Sequence, residues 1–156
     1  MPIFEHSSTI HAPVARVFAF HEEPSAFEML TPSWPPVRIV SREGGIREGA
    51  RVVLELSLGP FRQRWVALHT AYEQDRLFID TQLEGPFRSW VHSHQFTDLG
   101  NRHTRLTDHV EFSLPGGTLI DLAGAWFSIL QIRRMFRYRH EVTRRACESI
   151  PTAPAA

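Results

Sequence analysis

Four residues that could recognise or transform a small molecule alternate along one segment: Trp90, His92, His94 and Phe96. Alternate residues of a strand point to the same face of its sheet, so this segment predicts a strand that carries two imidazoles between two aromatic rings. A strand face packed on a core would ordinarily be apolar. The imidazoles therefore indicate the wall of a pocket and leave open what fills it.

Asp108 is the acidic group that the pattern places beside these imidazoles. Core-facing residues of neighbouring strands must share a face, and this pairs Phe96 with Leu106 and His94 with Asp108. The same register predicts two further neighbours, His92 near Val110 and Trp90 near Phe112. It also predicts a loop of odd length around Gly100 and Asn101, since a two-residue hairpin would turn Leu106 away from the core.

The His94–Asp108 pair supports two interpretations. A carboxylate beside an imidazole orients the ring and raises its basicity, as a general base requires. Such a pair could remove a proton next to a carbonyl, the step that an aldol cyclisation or a dehydration needs. The pair could equally be structural, with each group satisfying the other and fixing two strands. Both interpretations stay open.

A near-repeat of the tract adds two more candidate residues. The segment Gly59–His69 resembles Gly85–Phe96, and by this spacing Trp65 and His69 face the same way as Trp90 and His94. Two imidazoles at His92 and His94, with His69 or Asp108 as a third ligand, would form a plausible zinc set. No cysteine lies nearby, and we expect no metal and no cofactor. We expect the other early histidines, at positions 6, 11 and 21, at the surface or near the end of the first strand.

Composition excludes several classes of protein. The 156 residues suit one domain, and 17 basic residues against 17 acidic ones give no net charge that would favour nucleic acid. The chain contains no lysine, so catalysis through a lysine Schiff base is excluded. The single Cys147 fits a reducing compartment. No apolar run approaches a membrane span and no signal peptide is recognisable, so we expect a cytoplasmic protein without stable membrane insertion.

The elements that must position these residues follow an α+β plan. Residues 3–11 alternate as a first strand, Pro13 suits the first position of a helix, and Pro24–Ser25 begins a second short helix. From Val37 to Leu114, alternating segments separated by Gly, Pro, Asn and Asp turns predict six strands in an antiparallel meander. The apolar positions of two of these strands are 52, 54, 56 and 58, and 77, 79 and 83.

The last element is a helix over residues 118–149. One apolar stripe contains Leu119, Leu122, Trp126 and Leu130, and a second, nearly opposite, contains Ile132, Met135, Phe136 and Val142. A straight helix on one sheet could not bury both stripes. We therefore expect a break or bend near Ser128–Arg133, unless the second stripe meets a dimer partner.

Several segments resemble one known superfamily: Phe27–Pro32, Gly44–Gly49, Gly85–Phe87, Trp90–Phe96 and Thr104–Asp108. The chain is similar over residues 2–149 to START-like proteins, also called SRPBCC, helix-grip or polyketide cyclase/dehydrase-like proteins. It looks like a bacterial subgroup of them, some of whose relatives are fused to a nucleotide-sugar-epimerase-like domain. The resemblance implies a helix-grip fold: a curved antiparallel sheet of about seven strands, two short helices after strand 1, and a long C-terminal helix over the concave face. It also implies a single ligand-binding domain over residues 1–150, followed by a disordered tail at 151–156.

The resemblance further implies a cavity between sheet and helix that takes hydrophobic small molecules. The favoured function is binding or carriage of a lipid-, polyketide- or aromatic-like molecule by a monomer or homodimer, without catalysis. One alternative is a cyclase or dehydratase that uses His94 and Asp108, and another is a regulatory module with a filled cavity whose Arg-rich C-terminal helix meets a partner. The expected ligand contacts are Trp65, His69, Trp90, His92, His94, Asp108, Phe112, Trp126, Phe127 and Leu130, with Met29, Leu30 and Trp34 at the cavity mouth.

Overall fold

A computed structural model describes residues 1–116 and 118–148, without the side chains of residues 58 and 118–127. Seven strands form one antiparallel sheet in the order β1-β7-β6-β5-β4-β3-β2, which confirms the meander. The strands are β1 (Ile3–Ile10), β2 (Val37–Glu43), β3 (Arg51–Leu58), β4 (Phe61–Glu73), β5 (Leu77–Glu84), β6 (Ser89–Gly100) and β7 (His103–Ser113). The helices are α1 (Val14–Glu22), α2 (Ala26–Met29) and α3 (Thr118–Glu148). The predicted tail at 151–156 lies outside the described residues.

The first helices begin close to where proline and serine predict. Pro13 is the N-cap of α1 and not its first helical residue, and its carbonyl accepts hydrogen bonds from the amides of Arg16 and Val17. A proline suits this place because it has no amide hydrogen to leave unpaired. α1 buries Val17, Phe18, Phe20 and His21, so His21 does not lie at the surface as predicted.

The predicted register between β6 and β7 is confirmed. Phe96 pairs with Leu106, His94 with Asp108, His92 with Val110 and Trp90 with Phe112. The prediction about the loop is wrong. Gly100 pairs with His103, so the turn is the two residues Asn101 and Arg102, both with positive φ, as a type I′ turn requires. A bulge between Asp98 and Gly100 restores the register by adding one residue to β6.

The inward face of β5 differs from the one that the sequence suggested. Phe78 is buried, and Phe78 and Asp80 line the interior together with residues of β4 and β6. Leu83, in contrast, is largely exposed. The apolar alternation at 77, 79 and 83 therefore marks the convex face, where β-branched and aliphatic residues suit a half-exposed strand.

Helix α3 is one uninterrupted helix, and the break predicted near Ser128–Arg133 is absent. Its buried residues follow a single stripe at spacings of three and four, namely Ile132, Phe136, His140, Thr143 and Cys147. This stripe continues through the last turns and packs mainly on β1. The other predicted stripe runs from Leu119 to Leu130: its side chains up to Trp126 lie outside those described, and Leu130 is exposed.

The interior contains two apolar clusters, one at the C-terminal end of α3 and one at its middle. One, which includes Ile10, Phe18, Phe78 and Phe96, packs beneath α1. The other includes Phe4, Trp90, Val110, Phe112 and Phe136. The rings of Phe4 and Phe136 stack with centroids 5.5 Å apart, which fixes the middle of α3 against β1.

Replacing Phe136 by Ala tests this anchoring. The ring is fully buried in the second cluster, so the variant is expected to lose about 3–5 kcal/mol of unfolding free energy. Urea denaturation followed by circular dichroism measures the loss. Leu83→Ala removes an exposed leucine and should change stability by about 0.5 kcal/mol or less. Equal losses in the two variants would contradict the assignment of Phe136 to the core.

Candidate ligand cavity and its buried histidine cluster

A cavity of about 700 Å³ lies between the sheet and the second half of α3. Strands β3 to β6 supply most of its wall, and α3 covers it with Ile132, Met135 and Tyr138. Because α3 packs on β1 and β7, it does not pack closely on the other half of the sheet, and a hollow remains between them. The apolar part of the sheet wall is formed by Val52, Leu54, Leu56, Trp65, Ala67 and Trp90.

Three aromatic rings form one end of this wall. Trp65 meets Trp90 edge to face, with ring centroids 5.3 Å apart, and Phe87 lies 4.8 Å from Trp90. Phe87 also meets Trp65 edge to face, with centroids 5.8 Å apart, and such contacts hold rings at defined angles. The doubled sequence tract therefore places one tryptophan from each copy on the same cavity wall. Phe112 lies behind this wall in the apolar core, against Phe87 at 5.6 Å.

The segment between α2 and β2 borders the opening of the cavity. Leu30 and Trp34 both line the cavity, and the Trp34 side chain is 56% exposed. Two residues of α3 hold this segment: the Tyr138 hydroxyl donates to the Met29 carbonyl at 3.1 Å, and Arg139 Nε donates to the Leu30 carbonyl at 3.2 Å. Met29 thus contributes its backbone here, while its side chain is exposed and is not part of the lining.

The polar end of the cavity is a group of five buried or half-buried side chains, which we name the histidine cluster: Asp80, His92, His94, Asp108 and His140. The Asp108 carboxylate contacts all three imidazoles. Its Oδ1 lies 2.7 Å from His94 Nδ1 and 2.9 Å from His92 Nε2, and its Oδ2 lies 2.7 Å from His140 Nε2. The predicted meeting of His94 and Asp108 is therefore confirmed. The carboxylate also ties two strands to α3, because His140 belongs to the helix.

Asp80 closes the histidine cluster on its cavity side. Its Oδ2 lies 3.2 Å from His92 Nδ1 and 3.4 Å from His94 Nε2. Asp80, His92 and His94 all line the cavity, whereas Asp108 and His140 lie behind them. Ser8 extends the network to β1, since its Oγ lies 2.6 Å from His140 Nδ1.

The carboxylates and imidazoles of the histidine cluster shift one another's pKa values. Burial alone would lower the pKa of His92, but the negative charge of Asp80 and hydrogen bonds to both carboxylates raise it to about 9. Burial opposes ionisation of Asp108, yet the charge of His94 and the hydrogen bonds from His140 and His92 hold its pKa well below the usual range. Burial opposes ionisation of Asp80 as well, and the charge and hydrogen bond of His92 nevertheless lower its pKa.

Two further imidazoles line the cavity beside the histidine cluster. His21 Nδ1 donates to the Val17 carbonyl at 2.8 Å, and burial lowers its pKa to about 4. His69 lies directly across the β4–β5 ladder from Asp80 and is buried. Burial also lowers the pKa of His69. Both rings are therefore neutral at physiological pH.

The structure brings half of the ten predicted ligand contacts together around one cavity. Five of them line it, namely Trp65, His69, Trp90, His92 and His94, together with Leu30 and Trp34 at the mouth. Leu130 is a correction: its side chain is 49% exposed and lies outside the lining, because the buried stripe of α3 passes through Ile132 and Phe136. The side chains of Trp126 and Phe127 are outside those described.

Sequence reasoning missed Asp80, His140 and His21. Asp80 follows the buried Phe78 by two residues, so its inward direction was readable only once Phe78 was assigned to the core. His140 lies four residues after Phe136 and eight after Ile132, which places it on the same stripe of the helix. His21 follows Val17 by four residues in the same way.

The architecture defines the class to which this protein belongs. A curved seven-stranded antiparallel sheet with a long C-terminal helix over its concave face is the helix-grip fold. The chain belongs to the family described as polyketide cyclase/dehydrase and lipid transport, which matches residues 10–137. A search of curated proteins finds no match. None of the described helices is long and apolar enough to cross a membrane.

Solved structures with this fold come from distant relatives. A protein of Thermus thermophilus is 16% identical, with a TM-score of 0.72 over 97% of this chain and 100% of that one. Norcoclaurine synthase from Thalictrum flavum, solved with dopamine and hydroxybenzaldehyde, is 10% identical, with a TM-score of 0.71 over 97% and 89% of the two chains. A nucleoside-diphosphate sugar epimerase of Corynebacterium glutamicum is 26% identical, with a TM-score of 0.65 over 90% of this chain and 28% of that one.

The Asp108 carboxylate is expected to be essential for stability. Asp108→Asn replaces the shared acceptor of three imidazoles by an amide, and breaking a buried ionic contact costs about 3–5 kcal/mol. Urea denaturation measures the loss. Glu5→Gln is the matched control, because Glu5 contacts His109 at 3.2 Å on the outer face of the sheet, and an exposed pair contributes about 1 kcal/mol or less. A stable Asp108→Asn variant would contradict the tie between the strands and α3.

Proposed function

We propose that this protein binds or carries a hydrophobic small molecule, of lipid-, polyketide- or aromatic-like character, in the cavity between the sheet and α3. The observation that carries the proposal is the cavity of about 700 Å³ with a largely apolar wall. Sites for small ligands typically have volumes of about 300–1,000 Å³ and a few placed polar groups. This cavity has both properties.

The arrangement of the wall indicates what the ligand looks like. Trp65, Phe87 and Trp90 offer ring edges and faces at one end, which suits an aromatic or otherwise unsaturated body. The histidine cluster offers buried polar atoms elsewhere on the same wall. A ligand with an apolar body and one or two oxygen atoms satisfies both regions, since a fully apolar ligand would leave the buried His69 Nδ1 without a partner.

The family description supports this proposal, because it names polyketide chemistry and lipid transport. Norcoclaurine synthase adds support for an aromatic ligand, since its structure holds dopamine and hydroxybenzaldehyde in the same fold. The hollow interior, in turn, argues against the interaction module with a filled cavity.

Filling the cavity tests ligand binding directly. Ala67 lines the wall between Trp65 and His69, so Ala67→Phe is expected to weaken binding of a fluorescent apolar probe at least about tenfold, equivalent to about 1.4 kcal/mol. Ala71→Phe is the matched control, because Ala71 pairs with Ile79 on the opposite face of the same sheet. Probe titration with both folded variants gives the comparison.

Equal binding by the two variants would contradict an internal site. Native mass spectrometry of the purified protein, followed by extraction, provides a second test. A stoichiometric apolar molecule should accompany the wild-type chain and be depleted in Ala67→Phe. A chain that carries no such molecule and binds no apolar probe would remove the proposal.

A second candidate function is catalysis of a cyclisation or dehydration. The observation that favours it is the direct contact of His94 with both the cavity and Asp108. If His94 exchanges a proton with a bound linear polyketide-like substrate, His94→Ala should lower kcat at least about a hundredfold. His109→Ala, which removes an imidazole from the outer face of β7, serves as control. Turnover that is unchanged in His94→Ala would remove this candidate.

A further inference from the structure

Three donor atoms of different residues converge at the cavity side of the histidine cluster. Asp80 Oδ2, His92 Nδ1 and His94 Nε2 all lie within 4.8 Å of one another. Two of the separations are 3.2 Å and 3.4 Å. Ligand atoms that bind one ion at about 2.0–2.2 Å are themselves about 3.0–3.5 Å apart in octahedral or tetrahedral geometry. The two separations from Asp80 Oδ2 match this spacing.

Asp108 orients the His92 and His94 rings in the way that a carboxylate typically orients metal-binding histidines. It contacts His92 through Nε2 and His94 through Nδ1, the two nitrogens that do not face Asp80. A histidine that binds a metal typically donates its other ring nitrogen to a carboxylate, which fixes the tautomer and the ring orientation. The other two ring nitrogens, His92 Nδ1 and His94 Nε2, face Asp80, and a metal ion bound there would take the place of the hydrogens between these nitrogens and the carboxylate.

Two carboxylates flank the imidazoles at this point. Asp80 and Asp108 lie on opposite sides of His92 and His94. Their two negative charges match the charge of one divalent ion, and buried charges in proteins are usually paired or bound to metal ions.

His69 supplies an independent observation on the same wall. It pairs with Asp80 across β4 and β5 and is 93% buried, since its relative exposure is 7%. Its Nδ1 atom has no hydrogen-bond partner among the described residues. An imidazole nitrogen without a partner is costly in such a place, and a water molecule or ligand atom on a neighbouring ion would satisfy it.

We propose that Asp80, His92 and His94 bind a divalent first-row transition ion, with zinc as the representative, through Oδ2, Nδ1 and Nε2 respectively. Three protein ligands leave at least one coordination position, which faces the cavity because all three residues line it. An oxygen atom of the cavity ligand or a water molecule fits that position. This revises the sequence-based expectation of a site without metal. It does not depend on the proposed function, because the ion can be tested without any organic ligand.

The first experiment titrates the full chain, freed of any affinity tag and dialysed against a chelator, with Zn²⁺ by calorimetry and with Co²⁺ by visible absorption. We expect one ion per chain. His92→Ala and His94→Ala should each weaken binding by more than about 100-fold, the upper end of what loss of a supporting residue costs. His109→Ala, with one imidazole fewer on the outer face, should bind as the wild type does. No stoichiometric binding, or equal binding by His94→Ala, would overturn the proposal.

A measurement on the wild-type chain covers the case in which a histidine variant fails to fold. Proton NMR of the Co²⁺-loaded protein should show two strongly shifted, slowly exchanging imidazole N–H signals. They belong to His92 Nε2 and His94 Nδ1, which Asp108 shields from water. If the cluster is held together by protons alone, adding Co²⁺ will produce no such signals, and the proposal fails.

Discussion

The Asp108 carboxylate is the contact on which the rest of the interior depends. It is buried in the middle of β7, and it joins His92 and His94 of the adjacent strand to His140 of the long helix. A buried charge of this kind is tolerated only with several well-placed partners. Its requirement for three imidazoles therefore fixes both the position of α3 along the sheet and the side of β6 that faces inward. The polar end of the cavity follows from these contacts, because His92 and His94 also line the cavity.

The packing of α3 on one half of the sheet explains why a chain of this size has a hollow interior. The helix lies over β1 and β7, where Phe4, Val110 and Phe136 form a solid cluster. The opposite half of the sheet, from β3 to β5, has no described helix packed closely against it, so its inward side chains border the cavity beneath α3. One half of the sheet thus packs against the helix, and the other half lines the cavity. Trp65 and Trp90 lie at the boundary, where they contact the solid cluster and also line the cavity.

Much of this could be predicted from residues alone, and the failures have physical reasons. The strand order and the β6–β7 register follow from apolar alternation, which a one-residue slip would destroy. The bulge near Leu99 could not be foreseen, because an unpaired residue leaves the alternation on both sides of it unchanged. In β5 the aliphatic residues suggested the wrong inward face, since the inward positions carry Phe78 and Asp80. His140 was missed because a single polar residue on an apolar stripe resembles a surface position until its partner is known.

The turn between β6 and β7 has a consequence for how this family can vary. Phe96 and Leu106 face each other across nine intervening residues, one of them the extra residue of the bulge. Adding or removing a single residue in this stretch would invert either His94 or Asp108 to the convex face, unless a second irregularity compensated. Insertions or deletions in this hairpin should therefore contain an even number of residues. Homologous chains that keep both residues should differ in the length of this hairpin by even numbers, and a chain with an odd difference should have gained or lost a bulge.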